Sequence, residues 1–398
     1  MNYLTLILLI MGGFALLEML CERYDKLCQQ LYHIAFFTLV VLVSVKYLLG
    51  PDVANYFPHY NRLPHLDAIL PQLDDLFFEP GYNLYCSAMK TIGLDFWGMT
   101  VSVTLIYYTA IYLLFRRLTA YRTLALFALT LLDYNLTLFE FRQCLSVSFF
   151  IFAYLLYEKR RYVWCGLSVV LCALMHKSGI FICFAAVLFM AVWQFSLDKK
   201  AYIALAVLLC SMLVIPLSLI TDSVVGLLPF SGALKDSVEL HLTMGSRIQI
   251  IFPIYLLAIL CLAYYGNFSE ENKRWHWMMW LCIGVVVCLY QYWFLLNRLR
   301  SFILPFFLVY MQCELAQSER VKDQLPRQVF ALVLMLYAAV FTYSSNQQPD
   351  YARSKTNRIS TVFELRHMSK EALQHRQMEE AILFWEHDFV YTQKEEAK

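Results

Sequence analysis

The residues of this chain best suited to chemistry are charged and polar groups standing at the ends of long apolar runs. Asp52-Val-Ala-Asn-Tyr56-Phe-Pro-His-Tyr60 comes first, and a helix there puts Asp52, Tyr56 and Tyr60 at i, i+4 and i+8 on one face. Glu79-Pro80-Gly81-Tyr82 follows, its Pro-Gly pair expected to turn the chain sharply after a carboxylate. Arg142-Gln143 heads one apolar run, His176-Lys177-Ser178-Gly179 joins two others, and Arg247 precedes a further one. Asn297-Arg298-Leu299-Arg300 is expected at a tight turn between two more. Arginine's planar fork grips two phosphate oxygens at once, so two or three converging arginines suit a pyrophosphate. Taken singly, each group has an ordinary explanation. Basic residues snorkel to lipid headgroups, interfacial tyrosines anchor helices, and a glutamate caps a turn. Their joint placement carries more than any one of them.

The elements that must position these groups follow from composition. The 398 residues are 60% hydrophobic and only 16% charged, where a soluble domain carries about 25%. Too few charges remain to cover a surface facing water, and the solvent this implies is lipid. A net charge of +2 argues against a nucleic-acid partner held by bulk electrostatics. The 12 cysteines form no CxxC pair and no Cys/His metal spacing, so they read as small apolar packing residues.

A spanning helix needs roughly 17–25 mainly apolar residues. Such runs begin near Tyr3, Leu31, Phe96, Thr123, Gln143, Tyr162, Gly179, Ala201, Ile248, Trp277, Ser301 and Gln328. The expected class is therefore all-α: a polytopic membrane protein of about twelve helices, because only helices satisfy their own backbone in lipid. The N-terminal run has no basic start and no small-residue cleavage site, and is expected to be the first span rather than a signal peptide. Residues 1–343 form the membrane domain, with larger loops at about 51–95 and 221–247, and residues 344–398 form a polar tail. Prolines at 51, 58, 64, 71 and 80 should break the first loop into short helices.

Alternate connections differ in charge. The odd-numbered ones hold fifteen Lys and Arg in short stretches, and the even-numbered ones hold eight in longer stretches. The positive-inside rule then places the odd connections in the cytoplasm and the even ones outside. Arg142, Lys177, Arg298 and Arg300 are exceptions to that rule, gathered on the side where positive charge is disfavoured. A partly desolvated cation is costly without an anion. An exogenous anion, such as the pyrophosphate of a lipid carrier, would supply one.

Asp-xxx-Tyr-xxx-Tyr, Glu-x-Gly-Tyr, Arg-Gln before a membrane run, His-x-Ser and a late arginine, in this order from Pro51 to Arg300, resemble the EpsG family. That family comprises Wzy-like bacterial polysaccharide polymerases, integral-membrane glycosyltransferases of the GT-C kind. The resemblance implies a multi-pass protein of the bacterial inner membrane with its active site facing the periplasm or cell exterior. It implies donor and acceptor glycans on polyprenyl (undecaprenyl) pyrophosphate, building an O-antigen, capsule or exopolysaccharide. A chain-length regulator and a flippase are partners it suggests. Under it, Arg142 with Arg298 or Arg300 steadies the leaving pyrophosphate, and His176 or Glu79 takes the acceptor's proton. Tyr56, Tyr60 and Tyr82 would stack on sugars, and Asp52, Gln143, Lys177, Ser178 and Arg247 complete the binding set. No cofactor and no metal is expected, arginine standing in for a divalent ion. The rivals are a lipid-linked oligosaccharide flippase and a ligase-like or acyltransferase membrane enzyme. A flippase should carry charge along a central cavity, whereas the ionisable residues here crowd one face.

Overall fold

The computed structural model describes residues 3–193 apart from 22, 47–51, 77 and 120, then residues 293–317 and short stretches between 332 and 375. Every described element is a helix, and no strand occurs among the described residues. The chain divides into two compact units, residues 1–180 with 319–398, and residues 181–318.

The first unit opens with α1 (Tyr3–Leu20) and α2 (Asp25–Val45), which pack on each other. The proline-rich segment breaks as expected into α3 (Val53–Arg62), α4 (Leu66–Ile69), a 3-10 turn (Leu70–Asp75) and α5 (Pro80–Thr91). Then come α6 (Phe96–Leu118), α7 (Arg122–Leu132), α8 (Tyr134–Phe139), α9 (Phe141–Glu158), α10 (Tyr162–Met175) and α11 (Lys177–Trp193), the last passing into the second unit. In the second unit α12 spans Trp293–Gln317.

Among the described residues, two helices, Asp25–Val45 and Phe96–Leu118, are long and apolar enough to cross a membrane. At 1.5 Å per residue the second reaches roughly 34 Å, a little more than a bilayer's hydrocarbon core. Large apolar side chains stand exposed around the unit, Leu9, Leu20 and Phe37 on α1 and α2, Val163 and Trp164 on α10. Lipid is the solvent that would cover them without cost. Inside, hydroxyls bond back to the carbonyl one turn earlier, as Thr104 to Thr100, Thr130 to Leu126 and Ser148 to Cys144, so burial leaves none of these three unsatisfied.

The centre of the first unit is α9, packed on both α6 and α10, while α7 packs on α1 and α5 on α10. Ends are secured by recognisable devices. Asp95 caps α6 by accepting from the Gly98 N–H at 2.7 Å. Lys90 gives its ammonium to the Tyr60, Asn61 and Leu63 carbonyls at the end of α3. Gly93, at φ 89°, closes α5 with paired bonds from Gly93 N to Lys90 O and from Leu94 N to Met89 O, a position that favours glycine. A longer-range cap comes from α1. The Glu18 carboxylate accepts from the N–H groups of Thr123 and Leu124 at 2.9–3.0 Å, binding the start of α7 to a residue over a hundred positions away.

Three local expectations differ from what is found. Pro80-Gly81 does not reverse the chain; Pro80 is the first residue of α5, where its missing N–H has no intrahelical partner to lose. The run from Thr123 is interrupted at Asp133 and again at Glu140, beside the weak helix formers Asn135 and Thr137. Arg298 and Arg300 lie inside α12 rather than at a turn, since Asn-Arg-Leu-Arg contains no helix breaker and arginine is a good helix former. The runs expected from Ala201, Ile248 and Trp277, the 221–247 loop, and nearly all of the 344–398 tail lie outside the described residues, as does most of the run from Gln328.

Candidate active site

Four separated stretches of sequence meet at the head of α9. Arg142, its second residue, donates from one terminal nitrogen to Glu79 Oε2 at 2.5 Å and from Nε to the Tyr56 hydroxyl at 3.1 Å. Its guanidinium carbon sits 4.5 Å from the Phe78 ring centre and 5.6 Å from that of Tyr56. The other Glu79 oxygen accepts from the Lys177 backbone N–H at 3.3 Å, so one carboxylate ties the head of α9 to the hinge between α10 and α11. The anion that partners Arg142 is therefore internal. Side-chain exposures of 20% for Arg142 and 8% for Glu79 make this a largely desolvated pair, well removed from a surface salt bridge. Two of the five guanidinium N–H groups are used. The other three have no partner among the described residues and are available to anionic oxygens.

Two glycines allow this meeting. A Cβ on Gly81 would come within 2.7–2.9 Å of Leu174 at the end of α10, and one on Gly179 would lie 2.4 Å from the Cys172 carbonyl oxygen and 2.6 Å from Ser146 Oγ. Only glycine lets α5 and α11 approach α10 and α9 so closely. Without those approaches, Glu79 would not reach the Lys177 N–H.

Aromatic rings wall the arginine. Tyr56 packs on Phe78, Tyr82 and Phe141 at 5.1, 5.7 and 5.4 Å between ring centres. Tyr56, Tyr60 and Tyr82 are all buried, and the Tyr60 hydroxyl donates to the Leu94 carbonyl at 2.8 Å. The shared face expected of Tyr56 and Tyr60 is the packed face of α3. Burial pushes the phenol ionisation of Tyr60 and Tyr82 well up, so both remain neutral.

His176 is the single extended residue between α10 and α11. The Ser178 N–H donates to its Nδ1 at 3.2 Å, and Ser178 Oγ lies 2.6 Å from the same nitrogen. A nitrogen that accepts a backbone N–H carries no proton, so a neutral His176 is protonated on Nε2. Lys177 is exposed, Ser178 and Gln143 are buried, and Asp52 opens α3 half-buried. Arg247 lies outside the described residues. Arg298 and Arg300 belong to the second unit, both half-buried on α12.

Three residues near the site were not singled out from the motifs. Lys46, buried just after α2, places its ammonium 5.4 Å from the Phe141 ring centre. His59 Nε2 lies 2.8 Å from Asn83 Oδ1, and Asn83 Nδ2 donates to the Phe78 carbonyl at 2.7 Å. His59 is one turn past Tyr56 inside the first motif, and its lone position in a polar helix was the only available clue. Among the described residues no three His, Cys, Asp or Glu side chains gather as metal ligands would.

The sequence profile of the EpsG family matches residues 30–354, most of the chain. No curated protein and no solved structure matches.

Proposed function

The chain belongs to the EpsG family, the family of Wzy-like polysaccharide polymerases whose members are integral membrane proteins, and from that premise we propose that it joins lipid-linked oligosaccharide repeat units into a polysaccharide. The donor in this reading is a growing glycan on polyprenyl pyrophosphate and the acceptor is a repeat unit on a second such lipid. About twelve spans over residues 1–343 carry the site on the outer face of the bacterial inner membrane, with residues 344–398 as a polar tail. Sequential charge in the connections supports that orientation. A flippase would deliver the repeat units and a chain-length regulator would set how many are joined.

The observation that carries the reading is the Arg142 site. A cation fixed by Glu79, Tyr56 and Phe78 keeps three N–H donors for phosphate oxygens. In the transfer, the acceptor hydroxyl oxygen bonds to the donor's anomeric carbon while the bond from that carbon to the pyrophosphate oxygen breaks. The electron pair leaves on the pyrophosphate, and a preorganised guanidinium stabilises the charge as it develops. Arg298 or Arg300, in the second unit, is a further candidate for binding pyrophosphate. Glu79 has both oxygens engaged, so its part is to hold Arg142 and the α10–α11 hinge. His176, protonated on Nε2, would offer a hydrogen bond to a sugar or phosphate oxygen, steadied by Ser178. Lys177, at the same hinge and exposed, would draw the anionic headgroup, Asp52 and Gln143 would complete the binding surface of this unit, and Arg247 is a further binding candidate.

The test is Arg142→Ala beside Arg142→Lys in a cell that makes the polymer. Arg142→Ala should lower long-chain polysaccharide by about 100-fold or more, the scale of losing a transition-state donor, with single repeat units accumulating on the lipid. Lysine keeps the charge and loses the fork, so Arg142→Lys should recover only part. Normal long-chain product from Arg142→Ala at normal protein level would refute the assignment.

A further inference from the structure

Asn83 is fully buried, and its amide is oriented by its neighbours. The Phe78 carbonyl can only accept, so the group 2.7 Å from it is the Asn83 NH2, and the Asn83 oxygen faces His59. An amide oxygen can only accept in turn, so His59 Nε2 carries the proton of that 2.8 Å bond. A neutral His59 is thereby left with a lone pair on Nδ1, which has no partner among the described residues. This is the reverse of His176, whose Nδ1 lone pair is already taken by Ser178. A base held in one tautomer by a buried acceptor is the arrangement that proton abstraction requires.

Location agrees with that role. His59 and Arg142 both sit 4.5 Å from the Phe78 ring centre, the imidazole edge-on, so the two are at most about 9 Å apart. That is the order of distance between a cation on a leaving phosphate and a base on the attacking hydroxyl. Arg142 from α9, Tyr82 from α5 and Tyr56 from its own helix share the Phe78 ring with the imidazole. Glu79 is bonded to Arg142, and Tyr60, the next residue of α3, turns to Phe96 and the Leu94 carbonyl. Burial holds the His59 imidazolium below its ordinary range; the Asn83 hydrogen bond opposes it, and the Arg142 charge adds a smaller push in the same direction as burial.

We propose that His59 is the catalytic base of the glycosyl transfer, its Nδ1 taking the proton of the acceptor hydroxyl while Asn83 fixes the tautomer. This rests on the polymerase reading. The hydroxyl proton moves to Nδ1, its oxygen bonds to the anomeric carbon, and the pyrophosphate departs with the electron pair of the broken bond. The imidazolium then returns its proton to water or to the departed pyrophosphate.

The experiment is reconstitution of the full-length protein in liposomes with a purified lipid-linked repeat unit, read as a ladder of chain lengths across pH. Wild type should show an acid limb below about 6.5, the ordinary imidazole value. His59→Gln should lower kcat about 100-fold or more, leave KM within threefold, and abolish that limb. Asn83→Asp puts a carboxylate against Nε2, which favours the imidazolium, and should move the limb upward by roughly one pH unit. A merely structural His59 predicts neither change in the limb. His59→Gln within threefold of a wild type that makes a ladder, or a folded Asn83→Asp with an unmoved limb, overturns the base while leaving the polymerase reading intact. Wild type that makes no ladder overturns both. If one variant fails to elute as a single species in detergent, the other decides.

Discussion

Replacing Glu79 by Gln keeps its shape and removes its charge, leaving Arg142 without its counterion in a largely desolvated place. Exposed ion pairs contribute about 0–1 kcal/mol, whereas removing one partner of a buried pair costs about 3–5 kcal/mol. With 20% and 8% of the two side chains exposed, the pair lies nearer the buried limit, and about 2–3 kcal/mol is the expected loss for Glu79→Gln. Arg142→Gln should cost a similar amount, because Glu79 then keeps only the Lys177 N–H. Two amides facing each other can hydrogen-bond as neutral groups, so the double variant should be less damaged than the sum of the singles, by about 2 kcal/mol. Equilibrium unfolding of the purified protein in detergent, followed by tryptophan fluorescence, measures all three. Raised ionic strength should change the coupling little, since desolvated pairs are weakly screened. Losses that add within about 0.5 kcal/mol would refute the pairing as a stabilising contact.

Two further substitutions test how the site is assembled and how the bundle is tied. Gly179→Ala should destabilise by about 1–3 kcal/mol through its clash with Cys172 and Ser146, while Gly166→Ala, which meets nothing within 4 Å on α10, should stabilise by about 0.5–1 kcal/mol. Equal midpoints for the two in a thermal scan would contradict the close approach. Glu18→Gln replaces a carboxylate that accepts three bonds from the start of α7 by an amide with one accepting oxygen. A loss of about 1.5–3 kcal/mol is expected in the same unfolding assay, and a neutral result would show that α7 needs no cap from α1.

The motifs Glu79-x-Gly81, Arg142-Gln143 and His176-x-Ser178 were legible as candidates because polar residues at helix ends are conspicuous in an apolar chain. Their partnership was not. The first and second are 63 positions apart, and nothing in either motif specifies which carboxylate faces which cation. Gly81 and Gly179 settle that by letting particular helix surfaces touch, and a glycine's need for space is visible only against its neighbour. His59 shows the same limit in sharper form. Its residue type is plain, but whether its Nδ1 lone pair is spent or spare depends on Asn83 and, behind that, on the Phe78 carbonyl.

By itself the sequence determined that this is a helical membrane protein, and it placed the starts at Tyr3, Phe96, Thr123, Gln143, Tyr162 and Gly179 within two residues, whereas α2 begins at Asp25 rather than Leu31 and Ser301 lies inside α12. Composition and run length suffice because lipid offers the backbone no partners, so each long apolar segment must satisfy itself locally. Tertiary structure decided the rest: the interruptions at Asp133 and Glu140, the cap that Glu18 lends to α7, and the internal anion of Arg142. Each is a polar bond or a break whose energy depends on what lies across a helix interface, and local sequence holds no record of that surface.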